Sequence, residues 1–124
     1  MLVKQVRIPV LLNNGDDGIC FELCAGLIDK KKSNIKIAQE EILEEMGYLV
    51  PLEKIKLFKK LRNSVGSTGN NIYLYQAEIT EIEKMNDGGG LESEDIEVFE
   101  LPYREVSNFA FNLNVNIDSS TMFI

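Results

Sequence analysis

The chain contains no histidine and no tryptophan, and only two cysteines and three prolines among its 124 residues. Without histidine there is no Ser-His-Asp triad, no Cys-His pair and no histidine-bearing zinc site. Acid–base chemistry therefore falls to carboxylates, lysine, tyrosine, cysteine or water. Cys20 and Cys24 stand four apart, which is neither the spacing of a zinc or redox pair nor a disulfide framework. Four extended steps would separate their Cα atoms by about 13 Å, beyond the reach of a disulfide, so both are expected as reduced, mostly buried thiols. No apolar run approaches the roughly 20 residues of a spanning helix. The stretch Met1 to Arg7 lacks the charged start and uninterrupted apolar region of a signal peptide, so the expected location is the cytoplasm. Cations are the minority charge: 13 Lys plus Arg against 20 Asp plus Glu leaves −7. A field of that sign opposes docking on nucleic acid or an anionic membrane surface, and neither is expected as a partner.

What is present is ordinary globular composition, 44% apolar and 27% charged, at a length that suits one domain spanning residues 1–124. Leu2, Val6, Ile8, Val10 and Leu12 share one parity and predict a strand over 2–12, with Pro9 marking an edge or an end. Asn13 to Gly18 is dense in turn formers, and Ile19 to Leu23 is β-prone, which predicts a hairpin. A polar loop through Lys30-Lys31-Lys32 leads to Ser33 and Asn34, candidate helix caps. Ile35, Ala38, Ile42 and Met46 then recur at helical spacing, and Gly47 suits a left-handed stop. Strands are predicted over 55–61, 72–79 and 96–101, with a mobile loop at Gly88-Gly89-Gly90 and a short helix over 103–109. The fold class is α/β of the α+β kind.

The chemistry concentrates in Glu40-Glu41-Ile42-Leu43-Glu44-Glu45-Met46-Gly47. On an α-helical wheel Glu41, Glu44 and Glu45 share an arc of about 100°, next to the apolar stripe. Like charges at this spacing repel by a few tenths of a kcal/mol per pair. A divalent cation would offset that, since magnesium takes one or two carboxylates, waters and substrate phosphate oxygens. A solvated acidic face would also account for the glutamates taken alone. A second acidic cluster, Glu92 to Glu97, follows the glycine run.

Gly26, Glu41, Ile42, Glu44, Glu45, Gly47 and Tyr48 together resemble the Nudix box. Lys32 stands where the first glutamate of that box belongs, and Glu40 where its arginine belongs. Phe21 to Gly26, Val65 to Gly69, and Gly88 through Val98 are similar to the nucleotide-sugar branch of Nudix hydrolases, the UDP-sugar diphosphatases and ADP-ribose pyrophosphatases. The resemblance implies a mixed sheet sandwiched between helices, shortened at both ends. It also implies hydrolysis of a nucleotide sugar, UDP-glucose giving UMP and glucose 1-phosphate, with ADP-ribose as another substrate, and Mg2+ or Mn2+ as cofactor. Glu41, Glu44 and Glu45 with the Ala25 carbonyl are implied as metal ligands, and Glu45 and Glu94 as catalytic carboxylates. Arg7 and Glu22 are implied as substrate contacts. A sheet edge left open by a missing strand would favour a homodimer. The alternative is a non-catalytic nucleotide-sugar-binding or interaction domain with a degenerate box.

Overall fold

A computed structural model describes residues 1–123. In chain order the elements are β1 (Leu2–Val6), α1 (Ile8–Asn14), β2 (Ile19–Glu22), α2 (Asn34–Glu41), a π-helical turn (Ile42–Met46), β3 (Ile55–Asn63), β4 (Asn70–Ala77), β5 (Ile96–Phe99) and α3 (Val106–Ala110). Short 3-10 turns fill in at Leu52–Lys54, Glu81–Glu83, Tyr103–Glu105 and Ser119–Phe123. The expected α+β class is observed. The described residues end in the 3-10 turn Ser119–Phe123, and Ile124 lies outside them.

β1 is the middle of a three-stranded sheet ordered β2-β1-β5, antiparallel on both sides. Val3 lies opposite Glu22 and Val98, and Lys4 opposite Phe21 and Glu97. Opposed residues share a face and successive ones alternate. The Val3 face packs on Met46, Tyr48, Val50 and Ile55, with Ile35 and Ile42 beside them. On the other face Phe21, Phe99 and Phe109 of α3 form an aromatic cluster with ring centroids 5.0 to 5.6 Å apart. The sheet thus has a helix on each side, and both Leu2 and Val3 are buried because the two faces are covered at this end of β1, while Val6 at its other end is exposed. β2 is extended outward by a parallel bridge between Phe21 and Ile117. β3 and β4 form a separate hairpin with a register shift between Leu57 and Lys59.

The strand expected over 2–12 ends at Val6. Pro9 sits in the first turn of α1 instead of ending a strand, because a residue without an N–H loses nothing there, and Gly15 closes α1 in the left-handed conformation. β1 and β2 still pair, but through this helix and an Asp16–Asp17 turn that caps the Gly18 and Ile19 amides. In α2 the deeply buried residue is Ile37, which the expected stripe omitted. Gly47 does end the helix, at φ 82°, with the Tyr48 N–H 3.5 Å from the Ile42 carbonyl. The Gly47 N–H reaches back to both Ile42 and Leu43, the i→i+5 pattern that defines the π turn.

The glycine run Gly88–Gly90, expected from its composition as a mobile loop, is hydrogen-bonded to the end of the acidic turn. All three residues have positive φ. Gly89 N–H donates to the Glu45 carbonyl at 2.9 Å and Gly90 N–H to the Glu44 carbonyl at 3.0 Å. A Cβ at residue 88 would stand 2.3 Å from the Glu45 carbonyl oxygen. Glycine is required here because the backbones touch, and the segment supplies donors to helix-end carbonyls that would otherwise lack partners.

Candidate active site

Two segments are pressed onto the acidic turn. The first is the loop between β2 and α2. Its Ala25 N–H donates to Glu45 Oε2 at 3.1 Å, and at Gly26 a Cβ would fall 2.1 Å from the Glu41 carboxyl. The second is the glycine run, which leads directly into Glu94. Glu94 Oε2 accepts the Leu91 N–H at 2.8 Å and lies over Gly90, where a Cβ would come within 2.5 Å of it. Because Gly90 also holds the Glu44 carbonyl, the second acidic cluster is anchored to the first through one residue.

Electrostatics follow from this gathering. Glu45 is only 7% exposed, and burial pushes its carboxyl above the ordinary range. The Cys24 thiol and the Ala25 N–H pull it back, while Glu41 and Glu94 push it further up. Burial also raises Glu41, with Lys30 opposing and Glu44 and Glu94 adding. Both residues thus feel the negative charge of Glu94, although about fifty positions separate them in the chain. Cys24 and Cys20 are free thiols, as expected. Cys24 is held firmly protonated, first by burial and then by Glu45.

Lys32 and Glu40, the two departures from the Nudix pattern, meet each other. Lys32 Nζ donates to Glu40 Oε1 at 2.5 Å. Lys30 Nζ lies 3.6 Å from Glu40 Oε2 and 3.8 Å from Glu41 Oε1. Lys30 is the site residue that sequence reading missed. The signal available was charge complementarity between Lys30-Lys31-Lys32 and Glu40-Glu41, but nothing local says that the loop folds back onto the helix.

Arg7 and Glu22 come together as a pair. Arg7 Nε and Nη2 each donate to a different Glu22 carboxylate oxygen at 2.6 Å, a bidentate arrangement. The Glu22 side chain is 14% exposed. It lies opposite Val3, on the sheet face that meets the acidic turn.

Among the described residues, no group of three or more Cys, Asp or Glu side chains is closed around a metal position. The donor chemistry nonetheless fits a hard cation. All candidates are oxygens, the Glu41, Glu44 and Glu45 carboxylates and the Ala25 carbonyl, and two of the carboxylates carry pKa values raised by burial and by one another, which a positive charge between them would relieve. Magnesium characteristically binds to one or two carboxylates, with waters and substrate phosphates completing the shell, and does not need an all-protein cage. Two cavities of about 370 Å3 each lie elsewhere, around Met1, Tyr48 and Glu100. They include none of the candidate site residues. No helix among the described residues is long and apolar enough to cross a membrane.

No family model matches the chain. It is 39% identical over 105 residues to a GDP-mannose pyrophosphatase of Cronobacter sakazakii, covering 85% of this chain and 53% of that protein. It is 40% identical over 110 residues to a GDP-mannose pyrophosphatase of Salmonella arizonae, covering 89% and 56%. Against a GDP-mannose pyrophosphatase of Escherichia coli it is 40% identical over 105 residues, covering 85% and 53%. The chain therefore spans about half the length of the curated relatives it matches, and what it shares with them includes most of its own residues.

Proposed function

We propose that this chain is a Nudix-type hydrolase that cleaves the diphosphate bond of a nucleotide sugar with the help of a divalent cation, and that GDP-mannose is its first substrate to test. The observation that carries this reading is the docking of the Ala25-Gly26 loop onto Glu45 and Glu41. The names of the relatives support the nucleotide-sugar class and shift the substrate from the UDP-glucose implied by resemblance to GDP-mannose.

On this reading Glu41, Glu44, Glu45 and the Ala25 carbonyl hold magnesium or manganese. The ion, when bound, neutralises the diphosphate and lowers the pKa of the attacking water. Glu94 takes the proton from that water. Its Oε2 is occupied by the Leu91 N–H, so Oε1 is the accepting atom. Arg7 presents Nη1, the nitrogen that Glu22 leaves free, to a phosphate oxygen. The water oxygen bonds to one phosphorus as the bridging oxygen departs with the other, leaving GMP and mannose 1-phosphate. The net charge of −7 repels a free nucleotide sugar, so turnover depends on the cation. A second copy pairing along β5, which has no outer neighbour among the described residues, is the homodimer this reading includes.

The test is incubation of the purified protein with GDP-mannose, UDP-glucose and ADP-ribose, with magnesium and with a chelator, followed by chromatography of the products. Release of GMP that requires magnesium is expected. Binding of GDP-mannose without any hydrolysis would replace this reading with that of a binding domain.

A further inference from the structure

The loop carrying Ala25 and Gly26 has eleven residues between β2 and α2, and its contact with the acidic helix needs a fastening. Lys32 and Lys30 provide it by gripping the two oxygens of Glu40 separately, Lys32 on Oε1 and Lys30 on Oε2. Lys30 also leans on Glu41, whose carboxyl fills the space beside Gly26. Lys31, between them, takes part in no ion pair among the described residues. Desolvation works against the Lys30 ammonium, but Glu44, Glu41 and Glu40 outweigh it and hold its pKa above the ordinary value.

We propose that Lys30 and Lys32 are positioning residues: with Glu40 they form a clamp that sets the Ala25-Gly26 loop against Glu41 and Glu45, so that cation binding depends on the opposite-charge contacts made at position 40. The proposal rests on the reading above that Glu41, Glu44 and Glu45 hold a divalent cation. Its consequence is that the two departures from the Nudix pattern compensate each other and leave the box competent. Residues that orient ligating carboxylates without touching the metal commonly govern metal affinity.

The experiment is a charge-swap cycle on the intact chain: Lys32→Glu, Glu40→Lys and the double variant, with Lys31→Glu as a control for net charge and Lys32→Arg as the conservative variant. Manganese affinity is read by electron paramagnetic resonance without nucleotide, thermal stability in parallel, and kcat and KM for GDP-mannose where turnover is present. Each single reversal is expected to weaken manganese binding roughly tenfold or more. The double variant, which restores the 32–40 pair but sets Lys30 against a lysine, is expected to recover part of the lost affinity, Lys32→Arg to match the parent, and Lys31→Glu to retain the parent affinity. A double variant no better than the weaker single, or a Lys31→Glu loss equal to that of Lys32→Glu, overturns the clamp. Singles that lose thermal stability but keep manganese affinity reduce it to a structural ion pair and also overturn it. A parent chain that binds no manganese overturns the underlying reading of the carboxylates, and the clamp with it.

Discussion

Glu41 occupies the space that a side chain at residue 26 would need: a Cβ on Gly26 would stand 2.1 Å from Glu41 Oε1 and 2.6 Å from its Cγ. The obstructing atoms belong to the far end of a flexible side chain, so Gly26→Ala can be accommodated by moving the carboxyl. The expected cost in stability is about 1 kcal/mol or less. Magnesium-dependent kcat/KM should fall about 10- to 100-fold, the range for disturbing a metal ligand's support. Thermal denaturation and steady-state kinetics on the same preparation separate the two effects.

Gly88 is the opposite case, because the atoms it meets are backbone. Gly88→Ala combines a left-handed φ of 70° with a Cβ 2.3 Å from the Glu45 carbonyl oxygen. Overpacking and the left-handed penalty together predict a loss of about 2–4 kcal/mol. Gly15, at φ 68° with nothing within 4 Å, isolates the conformational part, and Gly15→Ala should cost about 1 kcal/mol. Urea unfolding of the two variants measures the difference.

The 3-10 turn at Glu81–Glu83 supplies a pH prediction. Hydrogen bonds from Lys54, the Thr80 hydroxyl and the Thr80 N–H hold the Glu83 carboxyl down to about 2. The folded state thus binds this proton more weakly than the unfolded chain does, and stability rises with pH wherever the unfolded state holds more protons. The contribution of Glu83 is complete above the unfolded value near 4.3 and is lost as pH falls through about 2. Glu83→Gln should flatten acid denaturation across that interval, as measured by urea midpoints in a pH series.

Arg7 and Glu22 test the substrate contact. The Arg7 side chain is 47% exposed, so Glu22→Gln should cost about 1 kcal/mol or less in stability. Arg7→Lys keeps the charge but loses the planar fork. It should raise KM for GDP-mannose about tenfold, the worth of one charge-assisted hydrogen bond, with kcat little changed. A fall in kcat at constant KM would move Arg7 from substrate binding to the chemical step.

What could be read from the sequence was whatever local pattern encodes. The helix beginning near Asn34 and stopping at Gly47 was legible from its spacing and its left-handed cap. Strands β3 and β4 were legible as separate strands, β4 the more clearly from its β-branched and aromatic content, but their pairing was not read. Helix α1 was hidden because Ile8, Val10 and Leu12 continue the parity of β1, and Pro9 fits a strand end as well as a first helical turn. Of the candidate site, the glutamates and Ala25 were legible by motif. Their assembly was not, since Gly88–Gly90 lies flat on the Glu44 and Glu45 carbonyls, and Lys32 reaches Glu40, only once the chain has folded.

The π turn at Ile42–Met46 also bears on insertions and deletions. Such a turn holds one residue more than the α-helical register would between the same hydrogen-bonded partners. Deleting Leu43 would let the backbone relax into an unbroken α-helix, a change that looks harmless in terms of helix formation. Residues beyond the turn would keep their phase, because the π turn already absorbs the extra residue, but Glu44 and Glu45, which lie inside it, would be re-aimed relative to Ala25 and Gly90. Lineages that lost the extra residue would keep a helix and lose a site, so the length of this segment should be inherited more strictly than its composition.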